Sequence, residues 1–243
     1  MSQNIYDNDD FFAGYSRLRR SVEGLSGAAE WPVLRDWLGD VRGAHVLDLG
    51  CGFGWACRWA REAGAAKVTG IDLSENMLAR AREMTPDSAV RYVLGDLETA
   101  EIAPGAWDVI YSSLALHYIA DLAGLFARAH AGLRQGGRLV FSVEHPIFTA
   151  PTNPGWLEQD GRKVWPVDGY LSEGPRSTNW LAPGVIKQHR GIGTYVSLLL
   201  AAGFRLEHLV EWGPSPEQIA DNPVWSIERD RPPFLLVSAS LSP

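Results

Sequence analysis

The nine residues Val46-Leu-Asp-Leu-Gly-Cys-Gly-Phe-Gly54 decide the fold of this chain. The apolar run from Val46 has the pattern of a buried strand, and glycines follow at positions 50, 52 and 54, where a helical pattern begins. Because glycine has no Cβ, such a turn adopts positive φ angles freely and lets a ligand approach the backbone. The segment therefore predicts a strand, a glycine turn and a helix, with room for a nucleotide-like ligand against the turn.

Outward from this segment, apolar runs alternate with helical patterns. Ser74 stands where a helix N-cap is expected, and Gly136 and Gly137 stand where a helix is expected to stop. Strands that alternate with helices indicate a parallel sheet covered on both faces. The predicted strands are 44–50, 67–72, 90–95, 107–112 and 138–144, and the predicted helices are 54–63, 75–83 and 122–133.

The regular rhythm breaks between residues 146 and 190, where prolines, glycines and tryptophans make the segment too long and too aromatic for an ordinary connection. We interpret this segment as an inserted cap. A helix at 193–202 and two strands at 204–212 and 234–241 follow, and these strands suit an antiparallel edge. The predicted fold is α/β, a doubly wound, seven-stranded, mostly parallel sheet whose last strand is antiparallel.

The composition limits the classes of partner. A chain of 243 residues with a net charge of −7 suits a single domain and disfavours broad binding to nucleic acid or to anionic membranes. The N-terminal stretch is polar and acidic, and the longest apolar stretch, near residues 195–204, is too short to span a bilayer. The two cysteines, Cys51 and Cys57, indicate neither a disulfide framework nor a metal site. We therefore expect a cytoplasmic protein with a small-molecule partner.

Polar residues end three successive predicted strands: Asp72, Asp96 and Ser112. In a doubly wound sheet these ends meet at one edge, outside which ligands bind. The carboxylate of Asp72 can accept hydrogen bonds from both hydroxyls of a ribose. Asp96 can accept a bond from an adenine amino group while apolar side chains cover the base. The side chains available for that packing are Leu73, Met77 and Leu97.

Five segments carry a resemblance to a known family: VLDLGCGFG, VTGIDLSENMLARAR, VLGDLE, WDVIYSSLALHYI and LRQGGRLVFSVEHPIF. In order and approximate spacing they resemble the class I S-adenosylmethionine-dependent methyltransferases, particularly the ubiquinone-biosynthesis-like, methyltransferase type 11 group of small-molecule enzymes. The resemblance implies a Rossmann-like methyltransferase fold with S-adenosyl-L-methionine as cofactor. We expect one domain made of an N-terminal cover (1–43), a cofactor-binding core (44–145), an inserted substrate cap (146–190) and a C-terminal helix and strand pair (191–243).

The resemblance also implies cofactor contacts at particular residues. The N-terminal segment of the family often folds over the cofactor, although Phe11, Tyr15 and Leu18 share one helical face and equally predict a helix docked by its apolar stripe. The implied contacts are Asp48, Gly50, Cys51 and Gly52 for the methionine end, Tyr15 and Arg20 for its carboxylate, the backbone of Ser112 for its amino group, Asp72 for the ribose, and Asp96 with Leu97, Leu73 and Met77 for the adenine.

Two other functions compete with this interpretation. The dinucleotide fingerprint G-x-G-x-x-G needs a glycine at position 55, where this chain has Trp55, so an NAD-dependent oxidoreductase is disfavoured. A cofactor-binding regulator without catalysis would have the same glycine turn and the same acidic strand ends. Binding with no methyl transfer would distinguish it.

Candidate catalytic groups follow from the chemistry. Methyl transfer from a sulfonium is an in-line displacement, so the protein chiefly positions the reactants and excludes water. A general base becomes useful when the acceptor must lose a proton, and histidine suits that task. Each candidate also has a structural interpretation, in packing, backbone bonding or helix capping. The candidates are Glu144 and His145 after the fifth strand, His117 after the fourth, and His189 at the end of the cap.

The cap concentrates aromatic residues outside any regular period. Such side chains can wall an apolar acceptor pocket or form a small core of the cap itself. Arg176 and Lys187 can neutralise an acidic acceptor or remain solvated. The pattern leaves open which atom is methylated. The aromatic residues are Trp156, Trp165, Tyr170 and Trp180.

Overall fold

The computed structural model describes residues 3–241. Its strands are β1 (His45–Leu49), β2 (Lys67–Asp72), β3 (Val90–Leu94), β4 (Trp107–Ser113), β5 (Leu133–Glu144), β6 (Leu157–Gln159), β7 (Arg162–Val164), β8 (Gly174–Trp180), β9 (Ala182–His189), β10 (Phe204–Trp212) and β11 (Phe234–Leu241). Its α-helices are α1 (Asp9–Tyr15), α2 (Arg19–Val22), α3 (Trp31–Leu38), α4 (Trp55–Glu62), α5 (Glu75–Glu83), α6 (Leu122–Gly132), α7 (Pro146–Thr149), α8 (Ile192–Ala201) and α9 (Pro216–Asp221). Among residues 3–241, no helix combines the length and the apolar character needed to cross a membrane.

Seven strands form one sheet in the order β10-β11-β5-β4-β1-β2-β3. Neighbouring strands among β1 to β5 pair in parallel, whereas β11 runs antiparallel to both β5 and β10. The predicted doubly wound, mostly parallel sheet with an antiparallel last strand is confirmed. The strand order reverses at β1, between β4 and β2, and such a reversal opens a crevice at the carboxyl ends of the strands.

Burial along β1 shows how helices cover both faces of the sheet. Leu47 and Leu49 belong to the core layer that includes Phe126 of α6 and Tyr195 of α8. Val46 belongs to the opposite layer, which α3 and α4 cover. Because successive side chains of a strand point to opposite faces, the next residue on the face of Val46 is the aspartate at position 48, and it too is buried.

Most predicted boundaries differ from the structure by at most one residue, but the start of β5 and the extent of the N-terminal helix were wrong. β5 begins at Leu133 and not at 138, because the backbone of Leu133 is already extended and pairs with Trp107. Gly136, with a φ of +75°, therefore lies within an irregular strand and does not end a helix. The N-terminal segment is not one helix either. Leu18 is extended between α1 and α2, so the predicted apolar stripe stops at Tyr15.

The segment between β5 and α8 has more regular structure than its sequence suggests. It contains α7 and two antiparallel hairpins, β6–β7 and β8–β9. The sequence of β8, GPRSTNW, has few β-forming residues, and its positions alternate between half-buried and exposed. Pairing with β9, and not composition, therefore defines this strand.

Candidate active site

A cavity of about 530 Å³ opens at the carboxyl ends of the parallel strands. Residues at or just beyond the ends of all five strands β1 to β5 line it, together with the N-terminal segment, the cap and the loop between β10 and β11. The predicted site residues that line it are Tyr15, Arg20, Asp48, Gly50, Cys51, Gly52, Asp72, Leu73, Met77, Asp96, Leu97, His117 and Glu144.

The glycine turn forms one wall of the cavity. Gly50, Gly52 and Gly54 all have positive φ, and the N–H groups of Gly50 and Cys51 both donate to the carbonyl of Ile71, over 2.8 and 3.0 Å. A Cβ at position 50 or 54 would overlap a neighbouring side chain, whereas a Cβ at position 52 would meet only the hydroxyl of Tyr15, 3.9 Å away. The turn is thus closed by packing at its ends and open to a ligand at its centre.

Two carboxylates stand beside the turn, one buried and one half-buried. Asp48 is 3% exposed, and burial raises its pKa to about 7. Burial also raises the pKa of Asp72, whose Oδ2 accepts the N–H of Gly52 at 2.8 Å and whose Oδ1 accepts the N–H of Ser74 at 3.0 Å. Asp72 therefore fixes the centre of the turn, and a carboxylate has four lone pairs in all, so it can also accept from ligand hydroxyls.

The N-terminal segment contributes aromatic rings and an ion pair. The ring of Tyr6 packs edge-on against Tyr15 at 5.3 Å, and its hydroxyl lies 3.3 Å from that of Tyr118. Arg20 binds both oxygens of Glu30, at 3.0 and 3.3 Å, and Glu30 is 1% exposed. Because a buried carboxylate needs a charged partner, this pair fixes Arg20 at the rim of the cavity.

Two predicted catalytic histidines lie away from the cavity. His145 caps α7, with Nδ1 accepting the N–H of Ile147 at 3.0 Å and Nε2 bonding Glu211 at 3.0 Å. His189 is fully buried and bonds Thr149 and the carbonyl of Tyr170. Burial lowers the pKa of both imidazoles. Neither residue lines the cavity, and both nitrogens of each ring bond groups that hold the cap in place.

Ser112 is likewise absent from the cavity wall. Its hydroxyl donates to the carbonyl of Leu49 at 2.7 Å, and its side chain is fully buried. The neighbouring residues Ser113, Leu114 and Ala115 line the cavity in its place. β4 continues to Ser113, one residue beyond the predicted end of the strand.

His117 and Glu144 do reach the cavity. Burial lowers the pKa of His117 to about 4, so the imidazole is neutral at pH 7. Glu144 bonds the ammonium of Lys187 through Oε1 at 2.5 Å, and Lys187 lies 4.8 Å from the ring of Trp180. Lys187 is therefore an internal partner of the site and not a solvated charge.

The remaining cap aromatics mostly serve structure. Trp180 lines the cavity, but Trp165 and Trp156 lie 4.2 and 5.3 Å from the guanidinium of Arg231. Phe148 flanks the same guanidinium at 4.3 Å. The ring of Tyr170 packs against His189, and Arg176 donates to the carbonyls of Ala150, Gly169 and Ser172.

Sequence reasoning missed several wall residues. Tyr6 stands in a polar, acidic stretch that resembles solvated chain, and Arg231 lies within a proline-rich loop. Only Tyr118 had a local signal, because it directly follows His117. Within residues 3–241, no group of three or more His, Cys, Asp or Glu side chains is placed to hold a metal ion.

Comparisons with known proteins agree with this geometry. A family model described as a methyltransferase domain matches residues 47–141. The solved S-adenosylmethionine-dependent methyltransferase from Mesorhizobium loti is 53% identical, covers 89% of this chain and 100% of its own, and superposes with a TM-score of 0.86. An uncharacterised Haemophilus influenzae protein is 34% identical over 97% of this chain and 96% of its own. The malonyl-[acyl-carrier protein] O-methyltransferase of Serratia marcescens is 34% identical over 50% of this chain. The match covers 46% of that enzyme, so this chain spans about half of its length.

The open position at Gly52 and the acidic strand ends around it suit an adenosyl ligand with a charged amino acid end, and the relatives use such a ligand. The chain belongs to the class I S-adenosylmethionine-dependent methyltransferases, and S-adenosyl-L-methionine is its cofactor.

Proposed function

We propose that this enzyme methylates a small molecule held between the glycine turn and the cap. The observation that carries the proposal is a single cavity that joins the glycine turn and its carboxylates to a second set of groups, Tyr118, His117, Glu144 and Trp180. The first set would hold the cofactor, and the second would hold the acceptor. S-adenosylmethionine supplies an activated methyl group when bound.

We assign the cofactor contacts by chemistry. An ammonium group beside Asp48 would offset the burial that disfavours its charged form, and Arg20 offers a guanidinium to a carboxylate. Asp72 would accept the ribose hydroxyls without losing its bond to Gly52. Asp96 would accept from the adenine amino group, with Leu73, Met77 and Leu97 against the faces of the base.

The cap would supply positioning and exclusion of water. Residues 146–190 contribute Phe148 and Trp180 to the cavity wall. Two rings of the same segment, Phe148 and Trp165, pack against the guanidinium of Arg231. Because the displacement needs the nucleophile in line with the methyl carbon and sulfur, an enclosed aromatic wall favours it by restricting how the acceptor can lie.

Calorimetric titration with S-adenosylmethionine and S-adenosylhomocysteine tests the cofactor contacts. Asp72→Ala should weaken binding at least tenfold, whereas Asp36→Ala, at an exposed carboxylate on α3, should leave it unchanged. Incubation of the intact protein with methyl-labelled cofactor and a metabolite extract should yield a labelled small molecule. Absence of cofactor binding by the intact protein would reject the proposal.

A further inference from the structure

The hydrogen bonding of His117 fixes which of its ring nitrogens carries the proton. The backbone N–H of Glu144 lies 3.4 Å from Nδ1 of His117 and donates to it. Two donors cannot face each other, so Nδ1 is the acceptor nitrogen and the neutral ring carries its hydrogen on Nε2. The imidazole is 2% exposed and lines the cavity.

In the part of the chain that the structure describes, Nε2 of His117 has no hydrogen-bond partner. A ring with a hydrogen on this nitrogen offers a donor to the cavity and no lone pair. The nitrogen that could act as a base, Nδ1, is occupied by a backbone N–H. His117 is therefore built to donate a hydrogen bond and not to accept a proton.

Glu144 has the complementary arrangement. Its Oε1 is bound to Lys187, whereas its Oε2 is buried and has no hydrogen-bond partner among residues 3–241. Its electrostatic neighbours are the cations Lys187 and Arg231 and the titratable groups His117, Tyr118 and Tyr195. A buried carboxylate oxygen without a donor is costly, and a donor on a bound molecule would satisfy it.

We infer that His117 is a fixed hydrogen-bond donor to the methyl acceptor, that Glu144 receives the proton of the nucleophile, and that the acceptor is therefore a hydroxyl or N–H compound. This inference rests on the proposed methyl transfer. A lone pair of the acceptor oxygen or nitrogen forms the new bond to the methyl carbon. The carbon–sulfur bond breaks with its electrons going to sulfur, which leaves S-adenosylhomocysteine, and the acceptor proton passes to Oε2 of Glu144.

A hydroxyl or N–H acceptor would distinguish this enzyme from the malonyl-[acyl-carrier protein] O-methyltransferases, about half of whose length aligns with this chain. A carboxylate acceptor has no proton to lose and would meet the negative charge of Glu144. Of the cations beside Glu144, Lys187 binds Glu144 itself. Arg231 binds Glu228 through one guanidinium nitrogen, while its Nε and Nη1 have no hydrogen-bond partner among residues 3–241. The polar groups of the acceptor end thus match a molecule that is both a donor and an acceptor.

Nitrogen-detected NMR of the full-length protein, labelled with ¹⁵N at its histidines and saturated with S-adenosylhomocysteine, tests the state of His117. His117→Asn identifies the signal, and His208→Gln, at an exposed ring, is the control. We expect the neutral form with its hydrogen on Nε2 at pH 7. A hydrogen on Nδ1, or a charged ring, would overturn the inference even if cofactor binding is normal.

The chemical class of the product tests the rest. Labelled product from the metabolite extract is treated with mild alkali, which releases methanol from methyl esters but leaves methyl ethers and methylamines intact. We expect the label to survive. Release as methanol would identify a carboxylate acceptor and reject the inference while supporting methyl transfer itself.

Glu144→Gln keeps an oxygen for Lys187 but cannot take a proton. We expect labelled product to fall about 10²–10⁴-fold with S-adenosylhomocysteine affinity unchanged, as for the loss of a general base. Glu158→Gln, at an exposed position of β6, is the matched control. Transfer retained within tenfold, or loss of cofactor binding, would each remove Glu144 as the proton acceptor.

Discussion

Gly52→Ala probes whether the cofactor lies against the glycine turn. Position 52 has a φ of +50°, and an added Cβ would meet only the hydroxyl of Tyr15 at 3.9 Å. The methyl group therefore fits the ligand-free protein. It fills the space at the centre of the turn that an adenosyl ligand would occupy.

Two separate costs follow from this geometry. Holding an L-residue in the left-handed region costs roughly 1–2 kcal/mol of stability, and each kcal/mol lowers the melting temperature of a domain of this size by about 2–4 °C. Steric exclusion from the turn should weaken S-adenosylmethionine binding at least tenfold, which corresponds to about 1.4 kcal/mol or more. The variant should thus remain folded and lose affinity.

Gly43→Ala is the matched control, because Gly43 has a φ of +74° and no atom within 4 Å of an added Cβ. It should carry the same backbone cost with unchanged affinity. Urea unfolding measures the stability of each variant, and calorimetry measures its binding. If Gly52→Ala binds the cofactor as tightly as Gly43→Ala, the cofactor does not lie against the turn and the reasoning fails.

Three further predictions concern other parts of the molecule. Burial raises the pKa of Asp48 from 3.8 to about 7, so the folded protein holds this proton more tightly than the unfolded chain. The free energy of unfolding should therefore fall as the pH rises between these two pKa values, by up to roughly 1.4 kcal/mol per pH unit. Urea unfolding of Asp48→Asn without ligand should lose that slope; an unchanged slope would contradict it. Arg231→Lys removes the planar cation beside Trp165. Amide hydrogen exchange in residues 157–164 should become about tenfold faster, while exchange in β4 should not change. An equal increase in both segments would show that Arg231 does not stabilise the cap locally. Because burial raises the pKa of Cys51, iodoacetamide should label it slowly at pH 8 and more slowly with S-adenosylhomocysteine bound, as mass spectrometry can measure.

The end of the cavity formed by the glycine turn, Asp72 and Asp96, here called the cofactor end, could be predicted from the sequence because it consists of successive strand ends. Apolar runs of limited length locate the strands, and the N-cap at Ser74 sets the start of α5, which matches its predicted bounds. Strand ends of a parallel sheet converge, so Asp72 and Asp96 fall beside the same cavity. What the pattern does not fix is side-chain direction. Glu144 and His145 follow each other, and only Glu144 faces the cavity.

The proposed acceptor end of the cavity, formed by His117, Tyr118, Glu144 and Trp180, could not be predicted because its contacts join distant segments. The hydroxyls of Tyr6 and Tyr118 meet across 112 residues of chain, and Lys187 reaches Glu144 across 43. No local periodicity encodes such pairs. Charges that look solvated in the sequence become buried partners only once the cap has docked, which is why Lys187 gave no signal of its role.

The ion pairs of the acceptor end also couple its shape to the docking of the cap. Lys187 lies on β9 of the cap and binds Glu144 at the end of β5. Arg231 comes from the loop before β11 and packs against the stacked pair Phe148 and Trp165. Removing one member of a buried pair leaves an uncompensated charge, so a substitution here shifts the cap as well as the pocket. The methyltransferase family model ends at residue 141, before the cap begins. Relatives that match this region can therefore share the residues around the glycine turn and still differ at Glu144, Trp180 and Lys187, which lie outside it.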